Sequence, residues 1–427
     1  MTHSSQLPGL KLTDHQFELP LRYEQPEGRQ ISVYAREVCA VESVSEDLPW
    51  LVFLQGGPGS GAPRPMGRGG WMGEALKRYR LLLLDQRGTA RSSRIDATTL
   101  EQEGSPEAQA EYLSCFRADS IVRDAEAIRT RLARGAQWTI LGQSFGGFCA
   151  LNYLSEYPEG LAAVMITGGV PPIGVEIDEV YRATYKRVLQ RNRRYYERYP
   201  EDAHRVRELS RYLAQNDVRL PGGARLTPYV LQLLGLEFGF SDGFEAIHYL
   251  LEEAFVDTPD GPVPSYNLLH GMANILPYET NPIFSLLHEA LYCEGSASNW
   301  SAARVRKEYS EFDADDTVLF SGEMIFPWMF DVFPRLAPLK PAAELLAARK
   351  NWPALYDQKK LSQNKVPIAA AVFADDMYVE RTFSEAVAER VPNMRIFLTN
   401  EWDHNALRAD TKAVVFKHLQ RILDGQT

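Results

Sequence analysis

Ser144 sits in Gly142-Gln143-Ser144-Phe145-Gly146-Gly147, and far downstream the chain offers Asp375, Asp376 and His404. A serine hydroxyl is a poor nucleophile until a base takes its proton, and the base needs an acid to orient it. Gly-x-Ser-x-Gly presents such a serine when a strand precedes it and a helix follows, because the turn is too tight for bulky neighbours. Residues 138–141 read as a short buried strand. Residues 148–157 read as a helix, with apolar positions at helical spacing and Pro158 as its stop. The competing reading is a glycine turn in which Ser144 merely caps the helix.

The partners bear on that choice. For a serine in this setting the chain order is Ser, then acid, then His, with the acid after a late strand and the histidine before the last helix. Only His404 and His418 lie beyond residue 300. His418 falls in the final helix beside Val415, Leu419 and Ile422 and reads as structural, which leaves His404 as the base. The strand-like "PIAAAVF" is followed by Asp375 and Asp376. Asp376 is favoured as the orienting acid and Asp375 is the alternate. A developing oxyanion needs N–H donors, expected from Phe145 and from Gly57 in "LQGGPGSGAPRP". The Asp85–Arg87 pair is expected to brace that loop.

The elements that must position these residues alternate. Strand-like runs at 16–22, 31–39, 51–54, 80–85 and 161–167, with a helix over 120–134, predict an α/β class. They imply a mostly parallel sheet covered on both faces. Residues 175–350 read as mainly helical, and alternation resumes with 366–373, 383–390, 394–399 and 412–423. The expected organisation is a core of residues 1–174 and 351–427 interrupted by a helical cap, 175–350. The basic run 182–199 is read as the solvated face of a cap helix. A formal charge of −10 argues against nucleic acid or an anionic membrane as partner. No apolar stretch is long enough to span a bilayer, and the N-terminus lacks a signal-peptide pattern. Scattered Cys39, Cys115, Cys149 and Cys293 suggest reduced thiols and a cytoplasmic setting. No HExxH, phosphate loop or dinucleotide fingerprint occurs, so neither metal nor cofactor is expected.

Together, Gln55-Gly56-Gly57-Pro58-Gly59, Asp85-Gln86-Arg87-Gly88-Thr89, the Ser144 segment, Asp375-Asp376-Met377 and Asp403-His404-Asn405 resemble the prolyl aminopeptidases, or proline iminopeptidases. These are serine enzymes of the α/β-hydrolase fold, and the length resembles their larger bacterial subgroup. Smaller members carry His where this chain has Gln55. The resemblance implies metal-free release of N-terminal proline from peptides, with the substrate's amino end held by acidic cap residues. A buried ammonium is disfavoured unless a carboxylate meets it. "LLHEALYCEG" puts Glu289 forward, with Glu294 and Glu323 as further candidates. Tyr292, Phe326, Trp328 and Phe330 either wall a proline pocket or form cap core. The other readings are an esterase, amidase or broader aminopeptidase on the same fold, and an inactive hydrolase fold used for binding. An intact Ser144–Asp376–His404 set argues against the last.

Overall fold

Leu81-Leu82-Leu83-Leu84 has no polar side to offer water, so a strand made of it must be buried on both faces. The computed structural model, which describes residues 3–313 and 317–426, places it in the middle of a nine-stranded sheet. In chain order the strands are β1 (His3–Leu7), β2 (Leu10–Pro20), β3 (Gln30–Ala40), β4 (Trp50–Leu54), β5 (Arg80–Asp85), β6 (Trp138–Gln143), β7 (Leu161–Thr167), β8 (Phe255–Thr258), β9 (Gly261–Pro264), β10 (Ile368–Phe373) and β11 (Met394–Thr399). The sheet order is β1-β2-β3-β5-β4-β6-β7-β10-β11, antiparallel up to β5 and parallel from β5 to β11. Successive residues of a strand point to opposite faces, and the core divides accordingly. Val52, Leu54, Leu82 and Leu84 join one buried cluster, while Leu51, Phe53, Leu81 and Leu83 join another beneath the helices Gly70–Ala75 and Val414–Leu423.

Between β7 and β10 the chain leaves the sheet for a run of helices, of which Ile177–Arg198, Asp202–Gln215 and Gly243–Glu252 are the longer early members. Their apolar sides, including Tyr185, Leu209 and Phe238, share one buried cluster with the helix Phe145–Glu156. Two departures from the sequence expectation stand out. Residues 257–264, inside the stretch expected to be mainly helical, contribute to the hairpin β8–β9. β2 begins at Leu10 and pairs with an unexpected edge strand β1, whose residues are mostly exposed and show no apolar alternation. Among the described residues no helix is long and apolar enough to cross a membrane.

Candidate active site

Strand β6 runs into the helix Phe145–Glu156 with Ser144 at the corner, at φ 53° and ψ −123°. A non-glycine residue held there stores roughly 1–3 kcal/mol of strain and stays only because its surroundings leave no alternative. Ser144 N–H donates to Thr167 O at 2.9 Å and its carbonyl accepts from Gly147 N–H at 2.7 Å. A Cβ on Gly146 would lie 1.9 Å from Leu54 O, so only glycine lets the helix approach β4 this closely. The Ser144 side chain makes no cap bond, and among the described residues its hydroxyl is unbonded. The reading of Ser144 as a helix cap therefore fails.

The strands β10 and β11 lie side by side and deliver Asp376 and His404 to the same end of the sheet. Asp376 Oδ2 accepts from His404 Nδ1 at 2.8 Å, while Oδ1 accepts the N–H groups of Tyr378 and Val379 at 2.8 and 3.1 Å. An ionised carboxylate only accepts, so the imidazole proton sits on Nδ1 and Nε2 keeps its lone pair. Both side chains are buried, at 2% and 5% exposure. Burial pushes the His404 pKa down, but the charge and hydrogen bond of Asp376 outweigh it, and the net shift is upward. The Tyr378 ring stands edge-on to the imidazole, 4.6 Å away. Asp375 turns outward to Arg194 at 2.6 Å. Of the two aspartates, only Asp376 joins the histidine.

The loop leaving β4 passes over Ser144 so closely that a Cβ on Gly56 would be 2.9 Å from the serine Cβ. Among the described residues the N–H groups of Gly57 and Phe145 donate to no protein acceptor. Gln55 folds back, its side-chain oxygen taking the Gly56 N–H at 3.0 Å, while its carbonyl accepts from Gln86. Asp85 braces this loop through the N–H groups of Ala62 and Arg91 and the Arg64 guanidinium. Arg87 does not share that task. It is buried against Asp124 and the carbonyls of Pro20, Leu21 and Cys115.

The three candidate glutamates have different occupations. Both oxygens of Glu289 are taken, by Ser301 N–H at 3.1 Å and Ala302 N–H at 2.9 Å, so it holds the start of the helix Ser301–Arg306. Burial raises its pKa. Glu294 accepts the N–H groups of Leu355 and Tyr356. Glu323 is different. Its carboxylate lies 3.3 Å from His288 Nε2; burial raises the pKa of Tyr292 and Tyr378 and the Glu323 charge adds to it, as it adds to the effect of Asp376 on His404. Glu289, expected first of the three, is thus tied by two backbone donors to the start of a helix. Tyr292 packs between Phe148 of the Ser144 helix and His288, whereas Phe330 is core and Phe326 stacks on Trp328.

Sequence reasoning missed His288, which joins Glu323 to the Tyr181 hydroxyl. It also misread the basic run. Three arginines of the helix Ile177–Arg198 reach the loops that carry Asp376 and His404: Arg187 to Glu380, Arg191 to Asp403 and Arg194 to Asp375. Arg191 further donates to Phe238 O at 2.8 Å, and His404 N–H donates to Gly239 O at 3.1 Å. Ser241 and Asp242 complete the seam through Asp403 N–H and the Asn405 amide. The spacing of four and three along a helix was the available signal; the acidic partners are remote in sequence.

An α/β hydrolase fold family model matches residues 49–221. A proline iminopeptidase of Aeromonas sobria is 48% identical over 412 residues, covering 96% of each chain. A proline iminopeptidase of Aspergillus aculeatus is 38% identical over 418 residues, covering 94% of this chain and 91% of its own. Among solved structures, a proline iminopeptidase of Mycobacterium smegmatis aligns over 96% of this chain and 100% of its own at 13% identity, with a TM-score of 0.44.

Proposed function

The chain belongs to the proline iminopeptidase family of α/β hydrolases, enzymes that remove N-terminal proline from peptides, and we propose that here Ser144 carries the reaction through an acyl-enzyme. His404 Nε2 takes the Ser144 proton as the hydroxyl attacks the prolyl carbonyl. It then gives that proton to the departing amine, and water repeats the sequence to release proline. Asp376 fixes the tautomer and stabilises the imidazolium. The N–H groups of Gly57 and Phe145 receive the oxyanion. Glu323 meets the substrate's ammonium, and Tyr292 and Tyr378 flank it. Residues 175–350 act as a cap domain that supplies this anchor and closes the site to longer blocked chains. With four buried thiols and no disulfide among the described residues, a reducing cytoplasm is the setting that fits.

One observation carries this reading: Asp376 holds His404 by a 2.8 Å hydrogen bond at the end of the sheet where Ser144 sits in its strained corner. The test is a panel of aminoacyl arylamides with the purified enzyme. Proline arylamide should lead the panel by at least about tenfold in kcat/KM, or about 1.4 kcal/mol of transition-state binding. Equal rates across the panel, or faster turnover of simple aryl esters, would replace it with a broad amidase or esterase reading.

A further inference from the structure

When an acyl-enzyme forms, the base hands its proton to the leaving nitrogen, so the departing chain must lie beside the base's own loop. A cavity of about 720 Å³ lies there, with Gln143 next to Ser144, Asn405 next to His404, and Gln55 from the loop over the serine all in its wall. That volume suits a small ligand. Trp71, Met72 and Phe240 give it apolar surface. Its charge is unusual for this protein. In a chain of formal charge −10, among the described residues no Asp or Glu lines the cavity, yet Arg64 and Arg408 do.

The two arginines differ. Arg64 is committed to Asp85 and helps hold the loop. Arg408 lies with its guanidinium 5.2 Å over the Phe240 ring, exposed, and makes no ion pair among the described residues. The ring positions the cation without neutralising it. Glu237, half-buried nearby, feels that charge, but burial wins and its pKa is pushed up to about 6.

We propose that this cavity is the leaving-side subsite and that Arg408 binds the free C-terminal carboxylate of short peptide substrates. The inference rests on the acyl-enzyme reading at Ser144. It makes the site complementary to a short peptide at both ends, with Glu323 for the ammonium and Arg408 for the carboxylate. The α-carboxyl titrates near roughly 3.3–3.7, so it is ionised wherever the enzyme would work. A C-terminal amide of the same length keeps every other contact and loses that one.

The experiment measures kcat/KM on di-, tri- and tetrapeptides beginning with proline, each as free acid and as amide, with proline arylamide as the reference. Wild type should prefer the acid at the length that reaches Arg408 by about fivefold, the size of one exposed charge pair. That preference should shrink in high salt. Arg408→Gln should abolish it and leave amides and the arylamide within about twofold. Equal rates on acid and amide at all three lengths would overturn the proposal, as would an Arg408→Gln loss shared by all substrates. Absence of turnover on every proline substrate by wild type would instead strike the Ser144 reading.

Discussion

Arg191 and Asp403 meet through two parallel contacts, Nη1 to Oδ1 at 3.1 Å and Nη2 to Oδ2 at 2.9 Å, one residue before His404. The pair brings opposite charges close to the imidazole, whose pKa the Asp403 charge raises by a minor amount beside burial and Asp376. The other groups acting on His404 are Asp376 and the Tyr378 ring in contact and the Glu323 charge. Arg191→Met leaves the Asp403 charge unbalanced and stabilises the imidazolium, so the acidic limb of activity moves to higher pH. Asp403→Asn leaves the cation and moves that limb lower, and the double variant returns toward wild type. Each single change should also cost about tenfold in rate through lost positioning. The pH dependence of labelling by a neutral serine reagent reads the free enzyme without the substrate's own amine. A purely structural pair would give equal losses and no opposed shifts.

Ser144→Ala should abolish turnover and covalent labelling while keeping the fold. His404→Ala and Asp376→Asn should each cost several orders of magnitude, since the three act as one unit. Asp375→Asn should lose less than about threefold, because its partner is Arg194 at the surface. Asp376→Asn should also drop the acidic limb to lower pH, because Asp376 is what holds the His404 pKa up. Labelling of an active enzyme at any serine but Ser144 contradicts the assignment.

Glu323→Gln and Glu289→Gln separate anchor from scaffold. Removing the Glu323 charge should cut kcat/KM on proline arylamide at least about tenfold and barely change a neutral aryl ester. Glu289→Gln replaces one acceptor oxygen with a donor facing a backbone N–H. It should cost about 1–3 kcal/mol of stability in denaturant unfolding and slow both substrates alike. The opposite pattern for the two residues would return the amine anchor to Glu289.

Gly146→Ala tests the corner itself. A methyl 1.9 Å from Leu54 O forces the helix off β4 and should cost about 3 kcal/mol, read as a lowered denaturation midpoint. Unchanged stability would mean the helix can retreat without disturbing Ser144.

The parts of the site legible in sequence were those whose position follows from chain order. Ser144 is marked by glycines that the turn requires, and Asp376 and His404 by their places after β10 and before the last helix. The glutamates were not legible, because the occupation of a carboxylate depends on which N–H groups the fold brings to it. Ser301 and Ala302 claim Glu289, while Glu323 lies 3.3 Å from His288 Nε2. Arg191 looked like a solvated residue for the same reason: Asp403 is 212 positions away. In the sheet, buried apolar strands were visible as runs, whereas exposed β1 has no such pattern and forms only because β2 offers it an edge.

The seam along 238–242 also constrains how a peptide gets in. Gly239 holds the backbone of His404, and Ser241 holds that of Asp403, so the helical insertion cannot swing away as a rigid shutter without dragging the base with it. The loop of Asp376 is tied to the same insertion through the Tyr378 hydroxyl on Leu236 O and through Arg187 on Glu380. A proteolytic nick near residue 240 should therefore lower activity while leaving Ser144 intact.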